Sequence, residues 1–234
     1  MPAERFFTHL PFTQGATIFL EGTEAFHLVR VMRARVGDEI ELVNGKGQLA
    51  QATLKAILKE HAELTLGSIH QAPMATPSFI LCIALPRFPR LEWIIEKGTE
   101  LGADAFYLFP GELSEKTTLS TQQVKRLHLL SIAALKQCGR LDLPEVVLKP
   151  PLSQWDQPPG VLLFGDTCPG APLLSAIKEH PVLFFSGPEA GFSSKELRLF
   201  AHWQAQGVSL HRNILRADTA PIAAAAILST YYST

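Results

Sequence analysis

Near the N-terminus the hydrophobic and polar positions alternate. Ile40 and Leu42 interleave with Glu39 and Glu41, Asn44-Gly45 and Gly47 follow, and the alternation resumes at Ala50, Ala52 and Leu54. Period-two alternation around glycine turn residues predicts a β-hairpin with one buried face. Leu64-Thr65-Leu66 suits another strand of the same kind. One short helix is predicted over residues 26–35, opened by Thr23 or Glu24 and closed near Gly37. Residues 71–77, with Pro73 and Pro77, read as a linker, because proline disfavours both helix and sheet.

Beyond the linker the period changes. Residues 79–84 form an apolar run of strand length, after which Leu91, Ile94, Ile95, Gly98 and Leu101 share one helical face that ends at Gly102. Residues 105–109 read as the next strand. Val124, Leu127, Ser131, Ala134, Leu135 and Cys138 make a second helical face, ended by Gly139. Further strands are predicted at 146–148, 161–164 and 182–185. Ser193 and Glu196 have the spacing of a capping box, opening a helix that runs to about Gln206. A last strand over 208–211 and a last helix from Pro221 complete the pattern. Strand and helix alternating throughout predict an α/β fold with a mainly parallel sheet covered on both faces.

Composition changes this picture little. The 234 residues are 47% hydrophobic and 18% charged, as expected of a globular protein with a sizeable core. A net charge of −1 excludes coating nucleic acid through bulk positive charge, so any RNA contact must come from a local patch. The apolar runs are too short to span a bilayer, and the N-terminus carries no signal-peptide core, which predicts no membrane association. Cys82, Cys138 and Cys168 have no metal-binding spacing, and the histidines show none either; reduced, buried thiols in a cytoplasmic protein without a metal are the expectation. No glycine-rich dinucleotide fingerprint occurs. Residues 111–117 end like a phosphate-binding loop, but Glu115 stands where glycine must precede Lys116.

Candidate chemistry concentrates in two strand-to-helix turns. The first reads Ser186-Gly187-Pro188-Glu189-Ala190-Gly191-Phe192-Ser193; the second reads Leu210-His211-Arg212-Asn213-Ile214-Leu215-Arg216-Ala217-Asp218-Thr219-Ala220. Such turns lie where open α/β sheets bind ligands. Taken singly, the first can be a tight turn and the second a polar connection whose Asp218 or Thr219 caps the last helix.

Together the two turns resemble those of the bacterial 16S ribosomal-RNA uridine-N3 methyltransferases, the RsmE family of the SPOUT class. Gly187, Pro188, Glu189, Gly191, Phe192, Ser193 and Glu196 match the family's first loop; Leu210, Ile214, Leu215, Arg216, Thr219 and Ala220 match its second. Arg5-Phe6-Phe7, the segment from His27 to Arg33, Glu100-Leu101-Gly102, Ser114-Glu115 and Gln137-Cys138-Gly139-Arg140 extend the resemblance over nearly the whole chain. Ala190, His211 and Asp218 depart from the family's glycine, glycine and glutamate. An added methyl at Ala190 is tolerated only where φ is negative.

The resemblance implies a PUA-like RNA-binding β-barrel over residues 1–73 and a SPOUT methyltransferase domain with a trefoil knot over 74–234. It implies a cytoplasmic homodimer that uses S-adenosylmethionine to methylate N3 of a uridine in 16S ribosomal RNA of the assembled small subunit. The implied cofactor site comprises Phe164, Gly165, Ser186, Gly187, Pro188, Glu189, Gly191, Leu210, Asn213, Ile214, Leu215 and Arg216. Removing the N3 proton calls for a carboxylate or a stabilising cation, for which Glu189, Asp218, Arg216 and Arg5 are the candidates. Arg5, Arg30, Arg33 and Arg35 are the candidate RNA contacts. Two alternatives stay open: another SPOUT reaction such as ribose 2′-O-methylation, or an RNA-binding module whose cofactor pocket Ala190 and His211 have spoiled.

Overall fold

The computed structural model of the chain describes residues 5–59, 61–73, 79–175 and 181–230. Two compact units form: Met1–Met74 together with Ile132–Leu143, and Ala75–Ser131 together with Pro144–Thr234. Residues 74–77 of the expected linker lie outside the described residues.

The first unit is built on a five-stranded sheet of β1 (Arg5–Phe7), β2 (Thr17–Glu21), β3 (Glu39–Val43), β4 (Gln48–Ile57) and β5 (His61–Gln71), in the order β1-β3-β4-β5-β2. The expected hairpin is β3–β4, with Ile40 opposite Ala52 and Leu42 opposite Ala50. Asn44 shapes its turn, its Oδ1 accepting from the Lys46 N–H at 2.9 Å, and Gly45 and Gly47 take φ of 70° and 80°. The inward positions Leu42, Leu54 and Leu64 are buried with Phe6 and Leu28. Strand β2 was not anticipated, although Ile18 and Leu20 are buried between exposed Thr17, Phe19 and Glu21.

Helix α1 (Gly22–Phe26) passes directly into a π-helical turn over His27–Val31 and stops there, short of the predicted end at Arg35. Arg33 adopts a left-handed backbone (φ 57°), and the Ala34 and Arg35 N–H groups bond to the Leu28 carbonyl and the Asp38 carboxylate at 3.2 and 2.7 Å. Local side-chain and turn bonds therefore replace the continuing helical ladder. Ile132–Leu143 belongs to this unit because Ile132 and Leu135 pack against Phe7 and Val43. The Lys136 ammonium also bonds Glu24 at 2.6 Å.

The second unit carries a six-stranded sheet: β6 (Phe79–Ala84), β7 (Ala105–Phe109), β8 (Glu145–Leu148), β9 (Val161–Gly165), β10 (Val182–Ser186) and β11 (Gln206–Val208). Its order is β11-β9-β10-β6-β7-β8, and every neighbouring pair is parallel. Along β6 the side chains divide between two cores. Phe79, Leu81 and Ile83 pack with Leu91, Ile94 and Ile95 of α2 (Phe88–Glu100) and with Ala224, Ala225 and Leu228 of α5 (Thr219–Ser229). Cys82 and Ala84 pack instead with Phe185 and with Phe200 of α4 (Ser194–His202). Burial on both faces explains why these strands are continuous apolar runs. Helix α3 (Thr121–Cys138) contributes Leu127 to the first of these cores.

Helix α4 ends at His202, earlier than predicted, because Gln204 turns the chain with φ 57° and releases Gln206 to begin β11. The last strand accordingly lies before, rather than across, residues 209–211. Of the three cysteines only Cys82 is buried; Cys138 and Cys168 are exposed, contrary to the expectation of buried thiols.

Gly98 marks the closest packing of α2 on the sheet: a β-carbon there would lie 2.5 Å from Phe106 Cε1 and 3.2 Å from Leu81 Cδ1. Both neighbours are fully buried and have no room to yield. Gly98→Ala should destabilise the protein by about 1–3 kcal/mol, read as a lower denaturation midpoint, despite alanine's better helix propensity. An unchanged or raised midpoint would contradict this packing.

Candidate functional site

Parallel strands deliver their carboxyl ends to one edge of the sheet, and three of the loops leaving that edge enclose a cavity of ≈ 1190 Å³. The lining runs from the last residues of β9 to residue 171, from the end of β10 to residue 192 and from the end of β11 to residue 217; Arg90, Leu197 and Ala220 complete the wall. All twelve residues put forward for a cofactor site, from Phe164 to Arg216, line this one cavity. Ala190 and His211 line it too, so neither departure has closed it.

The first loop is held by a network centred on Glu196. Ser193 caps α4 by accepting from the Glu196 N–H at 3.1 Å, while Glu196 Oε2 accepts from the Ser193 N–H at 2.8 Å. This is the predicted capping box. The other carboxylate oxygen accepts from the Glu112 N–H at 3.1 Å, tying the loop after β7 to the loop after β10. Gly191 takes φ 76°, and its N–H bonds the Pro188 carbonyl at 2.9 Å. Positive φ occurs at only two non-glycine residues among those described, Arg33 and Gln204, so the Ala190 methyl meets no left-handed strain.

In the second loop His211 Nδ1 accepts from the Asn213 N–H at 3.1 Å, and the Arg216 carbonyl accepts from the Thr219 and Ala220 N–H groups at 2.9 Å. Asp218 stands at the N-cap position of α5 without making a side-chain cap bond. Its carboxylate lies instead 3.8 Å from Arg90 Nε, and the same guanidinium bonds Glu189. Two candidate acids thus share one cation that the sequence reading did not single out. The available signal was a pair of arginines, Arg87 and Arg90, flanking Pro89 in another strand-to-helix turn of the same edge. Arg87 pairs with Glu115 through bonds of 3.0 and 3.2 Å, which hold that carboxyl below its ordinary value.

Asp166, directly after β9, was also missed. Its Oδ1 accepts from the Cys168 N–H at 2.9 Å, and its hydrogen bond with the Cys168 thiol pushes that thiol's pKa up. A β-carbon at Gly207 would meet Asp166 Oδ2 at 2.7 Å, so glycine is needed there for Asp166 to sit where it does. Arg212 and Arg216 also line the cavity, and neither forms an ion pair with another described residue. The wall therefore offers glycine-opened backbone, matched carboxylates and two unmatched guanidinium groups. That combination suits a polar ligand and a developing negative charge.

The remaining candidates belong to the first unit. Arg5 is committed to Glu41 at 2.8 Å and the Gly139 carbonyl at 2.7 Å. Arg30, Arg33 and Arg35 are exposed, the first on the π-helical turn and the other two beyond it. Among the described residues no group of three or more His, Cys, Asp or Glu is placed to hold a metal ion, and no helix is long and apolar enough to cross a membrane.

Comparison with known proteins adds to this geometry. Residues 73–229 match the model of a family described as an RNA methyltransferase domain, and residues 20–67 match an RNA methyltransferase PUA domain. The chain is 32% identical over 224 residues to the ribosomal RNA small subunit methyltransferase E of Synechocystis, spanning 90% of this chain and 72% of that protein. It is 28% identical over 247 residues to the Bacillus subtilis protein of the same name, spanning 97% and 96%. Among solved structures, a ribosomal RNA small subunit methyltransferase E from Neisseria gonorrhoeae bound to S-adenosyl methionine superposes with a TM-score of 0.87 at 26% identity, over 98% of each chain.

Glu196 is buried and satisfies two backbone donors from different loops. Glu196→Ala should cost about 1–3 kcal/mol per orphaned donor. Glu196→Gln keeps one acceptor oxygen and should lose less. Urea denaturation of the two variants measures the difference, and equal losses would show that the single acceptor kept by glutamine contributes nothing.

Proposed function

Because the chain belongs to the RNA methyltransferase family that includes the ribosomal RNA small subunit methyltransferases E, we propose that it methylates N3 of a uridine in 16S ribosomal RNA of the assembled small subunit. Methyl transfer is assigned to residues 74–234 and RNA binding to residues 1–73. The observation that carries this reading is the cavity at the sheet's carboxyl edge, walled by both candidate loops and by Arg216, which forms no ion pair with another described residue.

S-adenosylmethionine, when bound, supplies an already activated methyl group on a sulfonium. The cavity fits such a ligand: its volume suffices, and a β-carbon at Gly187 would lie 3.3 Å from the Gly191 carbonyl carbon, so glycine there lets the loop fold tightly on itself without a side chain in the way. Backbone groups of residues 186–191 and 210–215, with Phe164 and Gly165, are the groups assigned to hold it. What remains for the protein is to orient the uracil ring and ease loss of its N3 proton. Arg216 is assigned to stabilise the charge that spreads onto the uracil carbonyl oxygens as N3 becomes nucleophilic. Arg5 has its guanidinium occupied by Glu41 and Gly139, which supports a role in building the first unit.

The exposed Arg30, Arg33 and Arg35 are assigned to RNA phosphates, positioning the substrate without reading its sequence. The family further supports a trefoil knot in the methyltransferase domain, a homodimer and action in the cytoplasm. The alanine run of α5, residues 223–226, places Ala224 and Ala225 in this unit's own core and leaves the small side chains of Ala223 and Ala226 half-buried, compatible with close packing in such an assembly.

The decisive experiment incubates the protein with S-adenosylmethionine and small subunits lacking the modification, followed by nucleoside mass spectrometry. The expected product is 3-methyluridine; a 2′-O-methylated nucleoside would overturn the base assignment. Arg216→Ala should lower turnover by about 10²–10³-fold with cofactor affinity near that of the wild type; undiminished turnover would remove Arg216 from the chemistry. The double variant Arg30→Ala, Arg33→Ala should weaken RNA binding and flatten its salt dependence by about two counterion units. An unchanged salt slope would dismiss both phosphate contacts.

A further inference from the structure

The two carboxylates of the cavity loops, Glu189 and Asp218, meet on one guanidinium. Arg90 Nη1 bonds Glu189, and Arg90 Nε lies 3.8 Å from Asp218. No other described cation forms an ion pair with either acid. Glu189 belongs to the loop after β10, and Asp218 is the residue preceding α5; Arg90 arrives from a third place, the first turn of α2. That helix is a firm base, since Leu91, Ile94 and Ile95 are fully buried. Arg90 itself lines the cavity.

We infer that Arg90 is a positioning residue, a staple that fixes the two cofactor loops relative to each other and to α2. The inference rests on the methyltransferase reading above and assigns Glu189 and Asp218 within it. Glu189 Oε1 is bonded to Arg90, while Asp218 Oδ2 faces Arg90 Nε and Asp218 Oδ1 accepts from the Thr219 hydroxyl at 3.3 Å, so both acids are assigned to shaping the pocket rather than to taking the N3 proton. Charge matching by Arg90 also leaves Arg216 and Arg212, which form no ion pair with another described residue, able to face an anionic group. The planar guanidinium suits this task because it can bond one carboxylate while its delocalised charge attracts a second close by. Side-chain exposures of 30% for Arg90, 40% for Glu189 and 22% for Asp218 place these pairs in the class that adds little to global stability. Their effect should fall on loop geometry, and hence on ligand affinity.

The test compares Arg90→Ala, Arg90→Lys, Glu189→Gln, Asp218→Asn and the double variant Arg90→Ala, Glu189→Gln with the wild type. Calorimetry measures S-adenosylmethionine affinity on the free protein, thermal melting measures stability, and methyl transfer measures the pH profile of kcat. Arg90→Ala should raise Kd about tenfold and shift Tm by less than about 4 °C. Lysine should restore part of the affinity. The double variant should bind no worse than its weaker parent, because both changes break one interaction. In Glu189→Gln the pH profile of kcat should keep its shape while Kd rises.

Wild-type affinity in Arg90→Ala overturns the staple. So does a changed pH profile in Glu189→Gln with affinity intact, which would make Glu189 the proton acceptor. A collapse of Tm in Arg90→Ala, with Glu189→Gln and Asp218→Asn binding like the wild type, would assign Arg90 to the scaffold and likewise overturn it. If the wild type itself fails to bind S-adenosylmethionine, the methyltransferase reading falls first and takes the staple with it.

Discussion

Parallel pairing of β10 with both β9 and β6 is the constraint from which the rest of the second unit follows. Parallel neighbours point the same way, so the loops after β9, β10 and β11 must leave from one edge. Each strand is then followed by a crossover rather than a tight hairpin, and the helices of those crossovers must cover the sheet. Both faces become core, with Leu81 and Leu91 on one side and Phe185 and Phe200 on the other. The cavity is a consequence of this topology. It forms where the chain, having built β6, β7 and β8 outward, returns to place β9, β10 and β11 on the opposite side.

Placing three loops at one edge does not by itself make a binding site; their conformations must also be held. Glu196 joins the loops after β7 and β10 through two part-buried backbone bonds, Gly191 supplies a left-handed turn with φ 76°, and Gly207 removes a side chain where Asp166 comes close. Electrostatics then sorts the polar groups. Acids in the wall have partners, whereas Arg212 and Arg216 have none among the described residues. The proposed transfer, which generates a uracil anion, would benefit from that asymmetry, because preorganised cations cost no reorganisation when the charge appears.

The first unit solves a different problem. Its sheet buries one face against Phe6 and Leu28 and leaves the arginines of the π-helical turn and the following loop exposed. Its core is completed by Ile132 and Leu135, which come from a helix beginning among residues of the second unit. A boundary drawn by composition at the prolines of the linker therefore misses part of what folds with the N-terminal strands.

Local energies explain how much was legible in the residues alone. The hairpin at Asn44, the strands at 79–84 and 105–109 and the capping box of Ser193 and Glu196 depend on neighbours a few positions apart, so periodicity and spacing reveal them. The two glycine-bearing turns were visible for the same reason. Helix ends at Val31 and His202 were not, because left-handed residues Arg33 and Gln204 terminate them without the usual glycine signal. Nor were the bonds that complete the site: Arg90 reaches Glu189 across 99 positions and Glu196 reaches the Glu112 N–H across 84. Local pattern along the chain therefore reveals most of the elements and the chemistry of the two turns, but not β2 or where two of the helices stop. Which acid meets which cation was decided only in the tertiary structure, because strand order in the sheet, not distance along the chain, sets which loops become neighbours.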